Sequence, residues 1–150
     1  MAFAIGIEHV KHSVNLGTLL RSAWNLGAAM VFTVGRRYDR QHGDTVSAYR
    51  HIPLLHFVSW QDYRDHAPFD WQPIGVEIAP YSIPLERFVH PKCAVYLLGP
   101  EDGSLSAEAI GLCKAIVTIP SRLCLNVSTA GAIVMYDRLQ KKLLAKSLVV

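Results

Sequence analysis

Three segments of this chain place reactive or ligand-binding residue types where apolar runs end. In HVKHSVNLGTLLRSAWNLGA (residues 9–28) they are Asn15 and Arg21. An asparagine amide donates and accepts at once. An arginine beside an apolar stripe asks for an anionic partner that matches its planar fork, a phosphate or a carboxylate. In GPEDGSLS (99–106) a glycine, a proline and a carboxylate follow an apolar run. Gly99 would let a ligand approach the backbone closely, and Glu101 is an acceptor that can orient a ligand or sit at a helix start. In IPSRLCLNVS (119–128) the residues are Asn126 and Ser128, both helix-capping types. A helix start beside strand ends also favours a negatively charged group. Each residue has an ordinary structural reading as well: a cap for Asn15 and Asn126, a solvated helix residue for Arg21, an exposed charge for Glu101.

Several chemistries lack their signature. Neither a GxGxxG fingerprint nor a phosphate-binding P-loop is present, and no GxSxG elbow occurs. His9-x-x-His12 has no carboxylate or cysteine close behind it, so no metal is expected. Cys93, Cys113 and Cys124 lack zinc-ligand spacing and read as three small buried thiols. Trp24, Trp60 and Trp71 do not form the spaced stacking array of an RNA-recognition sheet.

These segments must be held by a framework, and the composition supports one. The 150 residues are 51% hydrophobic and 18% charged, which excludes a disordered chain. The length matches one domain, residues 1–150, with a core that needs no staples. The net charge of +3 permits an RNA or phosphate partner without demanding one. The start has no signal-peptide pattern, and no apolar run approaches the ~20 residues of a membrane span. A cytoplasmic, reduced setting is the expectation.

Short apolar runs alternate with helical periodicity, which predicts an α/β fold with a mostly parallel sheet. Strands are predicted at Ala2–Ile7, Met30–Val34, Leu54–Val58, Ile74–Ile78, Ala94–Leu98 and Ala115–Ile119. Leu16, Leu19, Leu20, Ala23 and Leu26 recur at helical spacing, with Asn15 or Ser13 as cap and Gly27 at the left-handed end. Further helices are predicted at Ser59–His66, at Ser104–Lys114 and from Asn126 or Val127 to about Lys142. In the last of these, Ala130, Ile133, Val134, Leu139 and Leu143 face the core. The polar stretch RRYDRQHGDTVSAYR (36–50) reads as a long functional loop.

In order and spacing, the three segments resemble the three motifs of the SpoU/TrmH branch of the SPOUT RNA methyltransferases. NLGTLLRSAWNLGA (15–28) is similar to the first motif, LLGPEDGSL (97–105) to the second and IPSRLCLNVSTAGAIVMYDRL (119–139) to the third. The likeness spans nearly the whole chain and implies a minimal catalytic domain. It implies an α/β sheet with a deep carboxyl-terminal trefoil knot, a feature too rare for pattern reasoning to propose. It also implies a homodimer, S-adenosyl-methionine as cofactor, and methyl transfer to a ribose 2′-hydroxyl of tRNA or rRNA.

Residue by residue, the resemblance makes Asn15 and Arg21 the catalytic pair, joined by Glu101 and Asn126. Glu77, Gly99, Ile119, Pro120, Cys124 and Leu125 become the cofactor contacts. Arg21 would bind a substrate phosphate and stabilise developing alkoxide charge. Arg36, Arg37, Arg40 and Arg50 would contact RNA phosphates, with Lys11 and Arg122 beside them. Met135 and Tyr136 of the last helix would lie at the dimer face. Cys124 stands where the family has serine, and Gly103 lies one residue early. Those departures support a competing reading, a knotted RNA-binding or assembly module without activity. A small α/β enzyme using another nucleotide is a third reading, disfavoured by the missing glycine-rich fingerprint.

Overall fold

The computed structural model describes residues 2–35, 47–68 and 70–147. Seven strands form one sheet: β1 (Phe3–Glu8), β2 (Met30–Val34), β3 (Leu54–Phe57), β4 (Gln72–Val76), β5 (Ile83–Pro84), β6 (Ala94–Leu98) and β7 (Ala115–Thr118). Their order is β3-β2-β1-β6-β4-β7-β5, and every pairing is parallel. Helices cover both faces, which is why β1 and β6 are buried along their whole length and read as continuous apolar runs. On one face α1 (Ser13–Asn25) and α4 (Val127–Ser147) cover a core that includes Ile5, Leu19, Leu20, Tyr96 and Met135. On the other, α2 (Trp60–His66) and α3 (Ala107–Leu112) lie over Phe32, Val95 and Leu97.

The α1 stripe buries Leu16, Leu19, Leu20 and Ala23. Each leucine contributes roughly 2 kcal/mol over its exposed state. α1 ends as expected, with Gly27 at φ 79° and Ala28 N–H returning to Ala23 O. α4 crosses α1 and the sheet at Gly131, where an added Cβ would lie 2.6 Å from Leu19 Cδ1.

Several expectations need correction. Neither Ser13 nor Asn15 caps α1. The cap position is His12, without a side-chain bond, and Asn15 turns its amide elsewhere. The fourth strand ends at Val76, so Glu77 follows it and occupies the turn. α3 is shorter than predicted because Ser106 caps it, accepting from Ala109 N–H. α4 runs on to Ser147, since residues 140–145 are good helix formers. The two-residue β5 had no apolar run to announce it, and its Pro84 suits an edge strand. Leu143 is exposed, and Cys124 is exposed rather than buried. Met135 belongs to the monomer core, so of the two predicted dimer-face residues only Tyr136, 54% exposed, remains available.

Candidate active site

The three segments meet at the carboxyl ends of the strands, the usual ligand-binding edge of a parallel sheet. Glu101 follows β6, and its carboxylate accepts three hydrogen bonds. They come from Lys11 N–H at 2.8 Å, His12 N–H at 3.0 Å and Asn15 Nδ2 at 2.8 Å. With its amide nitrogen committed to Glu101, Asn15 offers Oδ1 to Asn126 Nδ2 at 3.0 Å. Asn126 Oδ1 then accepts from Ser128 N–H at 2.9 Å and Ser128 Oγ at 2.6 Å, capping α4. The bonds therefore run in one direction, from the start of α4 through Asn126 and Asn15 to Glu101. Partial burial opposes ionisation of Glu101, but the donors from Asn15, Lys11 and His12 outweigh it and hold its carboxyl below the ordinary value. Asp102, next in the chain, pairs with Lys11 Nζ.

Two further carboxylates fix the turn after β6. Glu77 Oε2 accepts from Leu105 N–H at 2.9 Å, and its Oε1 from Ile78 N–H at 2.8 Å. Glu8, only 2% exposed, accepts from Ser106 N–H at 2.9 Å and Trp60 Nε1 at 2.6 Å. Successive amides, 105 and 106, are thus held by strand ends on either side of β6. They press the turn against Gly99, where an added Cβ would lie 2.9 Å from Leu105 N. The close approach at Gly99 is made by this chain's own backbone, and Gly99 also lines the cleft beside it.

Beside this network lies a cleft of about 380 Å³, lined among others by Glu77, Gly99, Glu101, Ile119, Cys124 and Leu125. Pro120 is exposed and is not among its lining residues. Asn15 and Asn126 do not line it either and reach it through Glu101. Arg21 stands apart: six residues beyond Asn15, it lies about 9 Å further along the axis and roughly a third of a turn round α1. It is exposed rather than partly buried. Arg50 is also remote from the cleft lining and sits over the Tyr49 ring. Arg36, Arg37 and Arg40 lie outside the described residues. Lys11, expected to face RNA, is paired with Asp102. Sequence reasoning missed Glu8; a lone carboxylate closing the otherwise apolar run FAIGIE was its one visible signal.

The lining fits a cationic small molecule with apolar parts. Glu77, Glu101 and Asp102 contribute to it, and none of the described lining residues is a lysine, arginine or histidine. Ile78, Leu98, Ile119 and Leu125 supply apolar wall, and the volume is within the range of small-molecule clefts. Among the described residues no group of three or more His, Cys, Asp or Glu is placed to hold a metal ion.

The fold has well-defined relatives. The SpoU methyltransferase AviRb from Streptomyces viridochromogenes superposes with a TM-score of 0.82 at 20% identity, covering 96% of this chain and 61% of that one. An AdoMet-bound rRNA methyltransferase from Sinorhizobium meliloti gives 0.81 at 24% identity, covering 93% and 56%. This chain therefore spans about three-fifths of the length of these two proteins. A structure described as giving insight into 2-OH methylation of C/U34 on tRNA gives 0.81 at 17% identity, covering 93% of this chain and 95% of that one. No curated protein matches the sequence. The model of the SpoU rRNA methylase family matches residues 2–136, a span that contains Asn15, Glu101 and Asn126, and the chain belongs to that family.

Proposed function

We propose that this chain transfers a methyl group from S-adenosyl-methionine to a ribose 2′-hydroxyl of tRNA or rRNA. One observation carries the reading. The hydrogen bonds from Asn126 through Asn15 to Glu101 join all three motif segments at the edge of a cleft that offers carboxylates and no cation among its described residues. The cofactor, when bound, supplies an electrophilic methyl group on a positively charged sulfur. In this reading Glu77, Gly99, Ile119, Pro120, Cys124 and Leu125 hold it, and the negative lining favours its charge. Asn15 and Glu101 orient the substrate side of the site, and Asn126 ties them to α4. Arg21 binds the adjacent RNA phosphate and stabilises alkoxide charge. It does not act as a base, because a guanidinium stays protonated. Arg50, with Arg36, Arg37 and Arg40, contacts further phosphates.

The same reading takes residues 1–150 as one catalytic domain with α4 threaded into a trefoil knot. It takes the working form as a homodimer in the cytoplasm. Tyr136 on α4 and Val14 on α1 support the dimer as exposed apolar residues of two helices that cover one face of the sheet. No helix among the described residues is long and apolar enough to cross a membrane.

Calorimetric titration with S-adenosyl-methionine tests the proposal, followed by transfer of labelled methyl to bulk tRNA and rRNA. One site per subunit and ribose methylation are expected. Arg21→Ala should still bind cofactor but lose transfer. A folded wild-type protein that binds no cofactor would overturn the reading and leave the inactive RNA-binding module.

A further inference from the structure

Away from the cleft, α1 and the 3-10 turn at Ala48–Arg50 build a second feature. Trp24 is 45% exposed. Its indole lies against the His51 imidazole with ring centroids 5.2 Å apart and planes 22° from parallel. His51 follows Tyr49 and Arg50, and the Arg50 guanidinium carbon sits 5.7 Å from the Tyr49 ring centroid. Tyr49 is half-exposed. Arg21 lies one turn before Trp24, and both are exposed. Ala23 and Ala48, next in the chain to Trp24 and Tyr49, are fully buried.

This surface presents the rings of Trp24, Tyr49 and His51 beside the Arg50 guanidinium. Flat π surface flanked by arginine suits a nucleobase with a phosphate beside it. A base inside a duplex has both faces covered by its neighbours, so only an unpaired base can use such a surface. Because His51 already holds the indole, little rotamer freedom remains to be lost on binding.

We propose that the Trp24–His51 stack is a landing platform for an unpaired nucleobase of the RNA substrate, with Arg50 taking a flanking phosphate. The substrate class is then loop or single-stranded RNA rather than duplex. This rests on the RNA-methylating reading above.

The test measures binding of oligouridylate and of a fully paired RNA duplex to wild type, Trp24→Ala and Trp24→Phe, with cofactor titration on each protein. Trp24→Ala should weaken oligouridylate binding roughly 5- to 100-fold and leave duplex and cofactor binding unchanged. Trp24→Phe should retain most of the affinity. Equal weakening toward both RNAs, or none toward oligouridylate, would overturn the platform while leaving the methyltransferase reading intact. A changed sedimentation coefficient in Trp24→Ala would also overturn it, by making the patch a subunit interface. Wild type that binds cofactor but neither oligouridylate, duplex nor bulk tRNA would remove the RNA reading itself, and the platform with it.

Discussion

α4 is tied to the rest of the molecule by polar groups at its start and near its middle, and the two attachments differ in kind. At the carboxyl ends of the strands the links are uncharged amides, Asn126 and Asn15, leading to a single carboxylate that backbone N–H groups hold ionised. That carboxylate opens onto a cleft. Near the middle of the helix the links are charged. Arg138, 6% exposed, donates to Pro91 O at 2.7 Å and Lys92 O at 2.8 Å, and lies over the Phe3 ring. Lys141 Nζ donates to Leu85 O and Phe88 O. Asp137 receives Lys141 at 2.7 Å and His90 Nε2 at 2.8 Å, while His90 Nδ1 meets Tyr96 OH. Burial pushes the Tyr96 hydroxyl up to about 12, so it stays protonated and able to donate. Dense, satisfied charge fastens a helix. A sparser network with one face open to a ligand-sized space positions chemistry.

Four measurements would break or sharpen this contrast. The largest effect is expected for Arg138→Ala, which strands the Pro91 and Lys92 carbonyls and removes the guanidinium from the Tyr96 hydroxyl. It should cost about 3–5 kcal/mol, read as a melting temperature lower by roughly 10 °C, with cofactor affinity unchanged in the protein that remains folded. Glu101→Gln places an amide where a carboxylate received N–H donors. It should slow methyl transfer about 100-fold while changing stability by no more than about 1 kcal/mol. A stability loss as large as that of Arg138→Ala would erase the distinction between the two attachments.

Gly99→Ala drives a Cβ against Leu105 N, a backbone atom that cannot swing aside as a side chain would. The turn held by Glu77 must shift, and cofactor affinity should fall roughly 10-fold by calorimetry. The smallest effect concerns pH. Burial lowers the His90 pKa from its ordinary value of 6.5, against the opposing pull of Asp137. The unfolded chain then takes up a proton more readily than the folded one. The stability this contributes is complete above about pH 6.5 and is lost as pH falls further. In denaturant titrations His90→Gln should show a shallower loss than wild type over that window; equal slopes would remove His90 from the account.

Much of the framework was legible because it is local. The period of Leu16, Leu19, Leu20 and Ala23 marked α1, and the apolar runs marked six of the seven strands. Gly27 marked the end of α1 and Asn126 the start of α4. Asn126 is an ordinary cap and also a link in the network, since its Oδ1 serves the helix and its Nδ2 serves Asn15. That Leu105 N crowds Gly99 was not legible, because that atom belongs to the following turn. Arg21 is exposed, in keeping with its reading as a solvated helix residue.

Residue type and spacing alone were therefore enough for the kind of fold, the order of its elements and the three segments that meet at its edge, because periodicity and capping act over a few residues. They could not say that Glu101 grips Asn15 from 86 positions away or that Asn126 reaches Asn15 across 111. Nor could they say that Glu8 and Glu77 hold neighbouring amides of one turn, or that Trp24 finds His51 across the surface. Those contacts exist only once parallel strands have brought distant strand ends side by side. A hydrogen bond depends on where two groups lie in space, and that was decided by the packing of the sheet and its helices.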